Sequence, residues 1–253
     1  MMMHYYIFSV LFGLVLGSFM NVLIYRVPRN LSIATPGSSC PKCGKAIRWY
    51  CNIPLLSYLF QRGRCVDCGA PISWQYPFVE FMTALIFLCI TIRYGADILT
   101  VKYCIFAFLI LAGAFTDMFT AFDDSFECGV LPHYCTIGGA ALGYIFAFWT
   151  EPGLIDSFAG SGIGAFSLYI PAYIYYLIRG REGMGDGDPL FMAMAGSFLG
   201  VSSIIYLFTV SALFGVFLGL IAVVVKKNRE VKIPYAVMIG IASILYLFTG
   251  NFI

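Results

Sequence analysis

Charge is what this chain has least of. Lysine, arginine, aspartate and glutamate together make up 11% of its 253 residues, against about 25% in soluble domains. Hydrophobic residues make up 60%, and the mean hydropathy is +0.87. This excludes an ordinary soluble protein and implies a polytopic membrane protein with one polar insertion. Histidine is almost missing too. His4 and His133 are the two in the chain, and His4 falls on the side opposite the acidic residues below, so a serine–histidine catalytic set is not expected there. There is no phosphate-cradling loop with its following lysine, and no strand precedes the glycines that begin at Gly183, which argues against a Rossmann-type nucleotide site. The net charge of +2 gives no reason to expect nucleic acid as a partner. The first apolar stretch has no basic residue before it and no small-residue cleavage pattern after it, so a removable signal peptide is not expected.

What is abundant is apolar run length. A bilayer-crossing helix needs about 20 mostly apolar residues. Such stretches run at about 5–25, 77–95, 98–117, 133–150, 157–178, 202–225 and 233–250, with a shorter one at about 189–200. The expected architecture is therefore all-α, with about eight transmembrane helices. Pro171 and the many Gly and Ser residues within these runs are compatible with that, because neighbouring helices satisfy freed backbone groups and small residues allow close packing. Three segments follow: residues 1–25 as the first membrane helix, 26–76 as a polar loop, and 77–253 as the membrane core. Placing the N-terminus outside puts 13 of the 15 basic residues on the cytoplasmic side, leaving Arg93 and Lys102 outside. This is the arrangement that membrane insertion favours, and it orients Asp117 and the turn at 185–188 toward the cytoplasm.

The polar loop holds Cys40-Pro-Lys-Cys43 and Cys65-Val-Asp-Cys68, with 21 residues between the pairs. Each pair puts two thiolates on one tight turn, and two turns complete a tetrahedral zinc site. Zinc would also fold a loop too small to build its own core. Disulfides are not expected in a loop facing a reducing compartment. The alternative is four reduced thiols without metal. Cys51, Cys89, Cys104, Cys128 and Cys135 show no ligand spacing, and Cys89 and Cys104 read as small apolar residues.

Carboxylates at a membrane boundary are costly and usually functional. Asp186 and Asp188 lie in Gly185-Asp186-Gly187-Asp188-Pro189. The glycines allow close backbone approach, and Pro189 suits the first turn of a following helix. The plain reading of Asp188 is an N-cap, but capping alone does not require the crowd of glycines, so a catalytic role is favoured, with Asp186 as its competitor. Asp117 closes the apolar run from Cys104 to Thr116. Asp123, Asp124 and Glu127 read as solvated loop charges, and Glu80 as a structural hydrogen-bond or ion-pair partner near the interface. Two carboxylates brought to one membrane face by different helices are the minimum equipment of an aspartyl peptidase.

Taken together, these residues resemble the type IV prepilin peptidases, also called prepilin leader peptidase/N-methyltransferases. The resemblance rests on Gly17-Ser18-Phe19-Met20-Asn21-Val22 with Tyr25-Arg26-Val27-Pro28, the two cysteine pairs, and Asn52-Ile53-Pro54-Leu55-Leu56-Ser57-Tyr58. It continues through Arg62-Gly63-Arg64-Cys65, Pro71-Ile72-Ser73, Tyr76-Pro77-Phe78-Val79-Glu80, the Gly185–Asp188 signature and Gly196-Ser197-Phe198-Leu199-Gly200. It implies that Asp188 and Asp117 are the catalytic pair and that basic leaders of type IV prepilin or pseudopilin precursors are the substrate. It further implies a bacterial inner-membrane location and methylation of the new N-terminus from S-adenosylmethionine. Two positions depart from the pattern. Leu190 stands where the family usually has lysine, and Val130-Leu131-Pro132-His133 arrives about eight residues late, after an acidic insertion. Asp124 and Asp123 are therefore reserves for Asp117. The rival readings are a peptidase without methylation, a transporter with a carboxylate proton relay, and a non-enzymatic zinc-loop assembly factor.

Overall fold

The computed structural model describes residues 2–126, 129–226 and 234–250. Glu127, Cys128, Lys227, Arg229 and Lys232 lie outside the described residues. Secondary structure among the described residues is helical, with two isolated antiparallel bridges in the polar loop. The chain divides into two compact units, Met1–Cys104 and Ile105–Ile253, and the division falls within one helix.

The first unit is an antiparallel helix pair with the polar loop between its members. The pair is α1 (Met2–Arg26) and α3 (Gln75–Tyr94); the loop carries a short α2 (Leu56–Phe60). Small residues on α1 let the backbones close up. A Cβ on Gly13 would sit 2.7 Å from the Cα of Ala84, and one on Gly17 would sit 2.7 Å from the Cα of Glu80. Close approach of this kind is how helices gain packing energy in lipid, where hydrophobicity gives no preference for protein over solvent. Toward the far end of the pair, Thr91 Oγ1 donates to Ser9 Oγ at 2.7 Å.

The second unit is organised around a short helix. Its members are α4 (Ile98–Ala121, which begins in the first unit), α5 (Gly139–Phe146), α6 (Leu154–Arg179), α7 (Gly187–Leu199), α8 (Val201–Lys226) and α9 (Tyr235–Thr249). Helix α7 packs against α5, α6, α8 and α9, and all its residues from Asp188 to Leu199 are buried except Leu190. A helix apolar on every side belongs in an interior, which is where this sequence puts it. The α6–α7 contact is backbone to backbone. A Cβ on Gly160 would meet the Gly196 carbonyl at 2.7 Å, and one on Gly164 would meet the Met192 carbonyl at 2.9 Å.

Among the described residues, five helices are long and apolar enough to cross a membrane: Met3–Arg26, Gln75–Tyr94, Ile98–Ala121, Leu154–Arg179 and Val201–Leu220. They coincide with five of the eight apolar runs. The remaining three runs form shorter helices. Residues 133–150 are split into a π-helical turn, Tyr134–Gly138, and α5; residues 189–200 form α7; and 233–250 contain the 15-residue α9. At 1.5 Å per residue, the 13-residue α7 is about 20 Å long, less than the ~30 Å hydrocarbon thickness. It is sheltered by its neighbours rather than facing lipid along its length. Pro171 lies inside α6 without ending it.

Candidate active site and metal site

Asp117 and Asp188 are both buried, each at 6% exposure. Helix α4 runs one turn past Asp117, to Ala121, because Met118-Phe119-Thr120 continue the apolar helical pattern. Asp117 therefore sits within the last turn rather than at its end. Asp188 is the second residue of α7, and Asp186, the residue before that helix, makes no side-chain capping bond and is exposed. The Asp188 carboxylate accepts a backbone hydrogen bond from Gly185 and lies within electrostatic reach of Asp117. The two acids singled out by sequence are thus brought together. Asp124 is exposed, while Asp123 accepts a hydrogen bond from the Ser125 amide at 2.9 Å, as a turn residue does.

Four further residues build the site, and none carries a side-chain signature that sequence reading would single out. The Ala236 amide, at the start of α9, donates to Asp117 Oδ2 at 3.2 Å. Gly129 lies against the Asp117 carboxylate so closely that a Cβ there would collide with Oδ1. Thr120 fixes that approach: its hydroxyl donates to the Thr116 carbonyl at 2.7 Å and accepts the Val130 amide at 2.8 Å. Tyr235, beside Ala236, feels the charge of Asp188 and bonds its hydroxyl to Ser211 Oγ on α8 at 3.0 Å. The one sequence signal for this group is Pro234, a fitting residue just ahead of a helix.

The loop cysteines form a second site, in the first unit. The Sγ atoms of Cys40, Cys43, Cys65 and Cys68 all lie within 4.8 Å of one another. Two copies of the same turn place them. Cys40 N–H donates to the Lys45 carbonyl at 2.9 Å and Gly44 N–H to the Cys40 carbonyl at 2.8 Å. In the second copy, Cys65 N–H donates to the Ala70 carbonyl at 2.8 Å and Gly69 N–H to the Cys65 carbonyl at 2.9 Å. Gly44 and Gly69 both take φ +71°, a conformation that favours glycine, which explains the Cys-x-x-Cys-Gly pattern. Backbone N–H groups of Cys43 and Lys42 lower the Cys40 thiol from 9.0 to about 6. Cys68 is pushed up to about 11: an Ala70 hydrogen bond opposes the shift, but burial and the three surrounding thiols outweigh it. A tetrahedron of sulfurs about 2.3 Å from a zinc ion has edges of about 3.8 Å, and Cys40 Sγ lies 3.9 Å from Cys68 Sγ. The set fits zinc.

Two family models match this chain: Bacterial Peptidase A24 N-terminal domain over residues 11–94, and Type IV leader peptidase family over residues 104–220. The chain is 31% identical to the prepilin leader peptidase/N-methyltransferase of Neisseria gonorrhoeae, over 94% of this chain and 88% of that one. It is 33% identical to the protein of that name from Bacillus subtilis (strain 168), over 95% and 93%. With the one from Myxococcus xanthus (strain DK1622) the identity is 35% over 85% of this chain, which spans 62% of that relative's length. No solved structure matches. None of these relatives supports the transporter reading. The chain belongs to the type IV leader peptidase family.

Proposed function

We propose that this protein is a membrane aspartyl endopeptidase that removes the basic leader of type IV prepilin-like precursors and then methylates the new N-terminus. The observation that carries the reading is the meeting of Asp117 and Asp188, two buried carboxylates from different helices within electrostatic reach of each other. Two such groups do not ionise together comfortably, so the pair holds one proton between them. The ionised member takes a proton from a water molecule, which attacks the scissile carbonyl, while the protonated member donates to the carbonyl oxygen. The pair titrates as a unit. The Ala236 amide on Asp117 and the Gly185 amide on Asp188 each fix one of the two carboxylates by a backbone hydrogen bond. On the topology favoured by the basic residues, this site faces the cytoplasm of a bacterial inner membrane, where unprocessed precursors present their leaders.

Cys40, Cys43, Cys65 and Cys68 would hold a structural zinc ion. The methyl group would come from S-adenosylmethionine, which supplies an electrophilic methyl when bound; what the protein must then provide is a place to hold the receiving amine. The relatives' name joins both activities, which favours the bifunctional reading over a peptidase alone.

The test is cleavage of a model prepilin by purified protein in detergent. Asp117→Asn and Asp188→Asn should each lower the rate by roughly four orders of magnitude, the scale seen when a member of a catalytic set is neutralised. Asp124→Asn should leave it near wild type. Loss with Asp124→Asn and retention with Asp117→Asn would move the first acid into the loop. Retention with Asp188→Asn would end the dyad reading.

A further inference from the structure

The buried carboxylates among the described residues are Asp117, Asp188 and Glu80, and the peptidase reading uses two of them. Glu80 sits on α3 in the first unit at 7% exposure. It accepts the Leu55 amide at 2.8 Å and the Ser18 hydroxyl. No cation is paired with it among the described residues. Arg26, at the end of α1, instead directs its guanidinium to the carbonyls of Ser32 at 2.9 Å and Pro36 at 2.7 Å.

One turn along α1 from Gly17, which abuts Glu80, is an acceptor with nothing to accept. Asn21 is 3% exposed, and its Nδ2 donates to the carbonyls of Gly17 at 3.3 Å and Tyr76 at 3.2 Å. Both partners are acceptors, so the amide cannot be turned over, and Oδ1 is left buried without a donor. The two residues are neighbours across the helix pair. Gly17 abuts Glu80 and Asn21 bonds Tyr76, so the contacts advance one turn along each helix, and Ser18 and Asn21 share a face of α1. A buried carboxylate without a counterion beside an unsatisfied amide oxygen is an arrangement that costs stability and has a surplus of acceptors. The same carboxylate holds Leu55 at φ +58°, ψ −49°, a conformation rare for leucine. Strain of this kind persists where surrounding contacts impose it and clusters at functional sites.

We propose that Glu80 and Asn21 form a binding site for a protonated α-amine, which would supply a positive charge to the carboxylate and N–H donors to Asn21 Oδ1. The inference rests on the reading above that a new N-terminus is exposed and methylated. Two molecules of that reaction carry such a group: the processed peptide at its N-terminus, and S-adenosylmethionine in its amino-acid part. The site lies at the end of α1 and the start of α3, under the turn Ile53–Leu56, and its residues belong wholly to the first unit.

The experiment measures binding rather than turnover, on the full-length zinc-loaded protein in detergent. The probes are a short apolar peptide with a free N-terminus, its N-acetylated twin, and S-adenosylmethionine. Wild type should bind at least one of the two amines, and Glu80→Gln should weaken that binding by about tenfold or more, the scale of a lost charge-assisted hydrogen bond. Preference for the free over the acetylated peptide would identify the peptide N-terminus as the occupant. A loss confined to S-adenosylmethionine would identify the methyl donor. Equal binding of free and acetylated peptide, together with S-adenosylmethionine affinity unchanged in Glu80→Gln, would overturn the proposal and leave Glu80 as a tie for the Leu55 turn. The comparison of the two peptides on wild type needs no variant, so a poorly folded Glu80→Gln does not obscure it. Cleavage by the wild-type sample, followed in parallel, separates failure of this site from failure of the peptidase reading.

Discussion

The two units place their buried carboxylates by different means. In the first, Glu80 receives the Leu55 amide from 25 positions away, and the cysteine site is built by two copies of one local turn. In the second, Asp117 receives its amide from Ala236, 119 positions along the chain. The cysteine site of the first unit thus uses short-range geometry that a spacing pattern encodes, whereas the Asp117 carboxylate of the second depends on helices packed from distant parts of the sequence. The contrast implies separable sensitivities. Damage to the loop should be local and governed by metal, and damage to the aspartate pair should follow the helix packing of the second unit.

The largest expected effect breaks the first half of that contrast. Cys65→Ser removes one of four ligands, and the protein should lose its zinc and the protease resistance of residues 38–72 while α4–α9 keep their helicity. Metal content and limited proteolysis check this. Acid should act the same way. The Cys40 thiol is lower in the folded loop than in an unfolded chain, so its contribution is complete above about 9.0 and is lost as the pH falls through about 6. Because the ligands must be deprotonated, protons compete with zinc, and its release should rise as the pH is lowered, as followed with a chromogenic chelator. Full zinc content in Cys65→Ser would show that the four thiols do not hold it.

The same contrast explains what could be read from the sequence. The cysteine knuckles were legible because each is a turn of five residues whose ligands and glycine recur together. Asp117 and Asp188 were legible because charge is scarce in apolar runs, and the five long spans because length and hydropathy define them. Gly129 and Ala236 were not. A backbone amide has no side chain to betray its role, and a glycine's role here, leaving room for a carboxylate, exists only once the chain has folded. The short α7 was visible as an apolar run, but its burial on nearly every side depends on Gly160, Gly164 and Gly196 allowing α6 to approach, which no window of hydropathy reports.

Gly129→Ala probes that hidden half and ranks second in expected effect. The added Cβ collides with the Asp117 carboxylate, and the carboxylate must move, since the Val130 amide is pinned to Thr120. A displacement of about 1 Å at a catalytic group costs on the order of a hundredfold in rate. Model-prepilin cleavage should fall by about that much, with zinc content unchanged. A variant that cleaves at the wild-type rate would show that Asp117 is not held at Gly129 in the working enzyme.

Tyr235→Phe should have the smallest effect and sharpen the comparison most. The ring stays and one hydrogen bond, to Ser211 on α8, is lost. A single neutral hydrogen bond contributes about 1 kcal/mol, so kcat should fall about fivefold if that bond holds the start of α9, and with it the Ala236 amide, against Asp117. KM should be unchanged, because neither residue need touch the leader. Ser211→Ala should give the same loss, Ser211→Thr should restore it by keeping the hydroxyl, and the Tyr235→Phe/Ser211→Ala double variant should be no slower than either single one, since both remove the same bond. Additive losses would mean that the two residues act separately, and a rise in KM alone would place Tyr235 on the substrate rather than behind the aspartates.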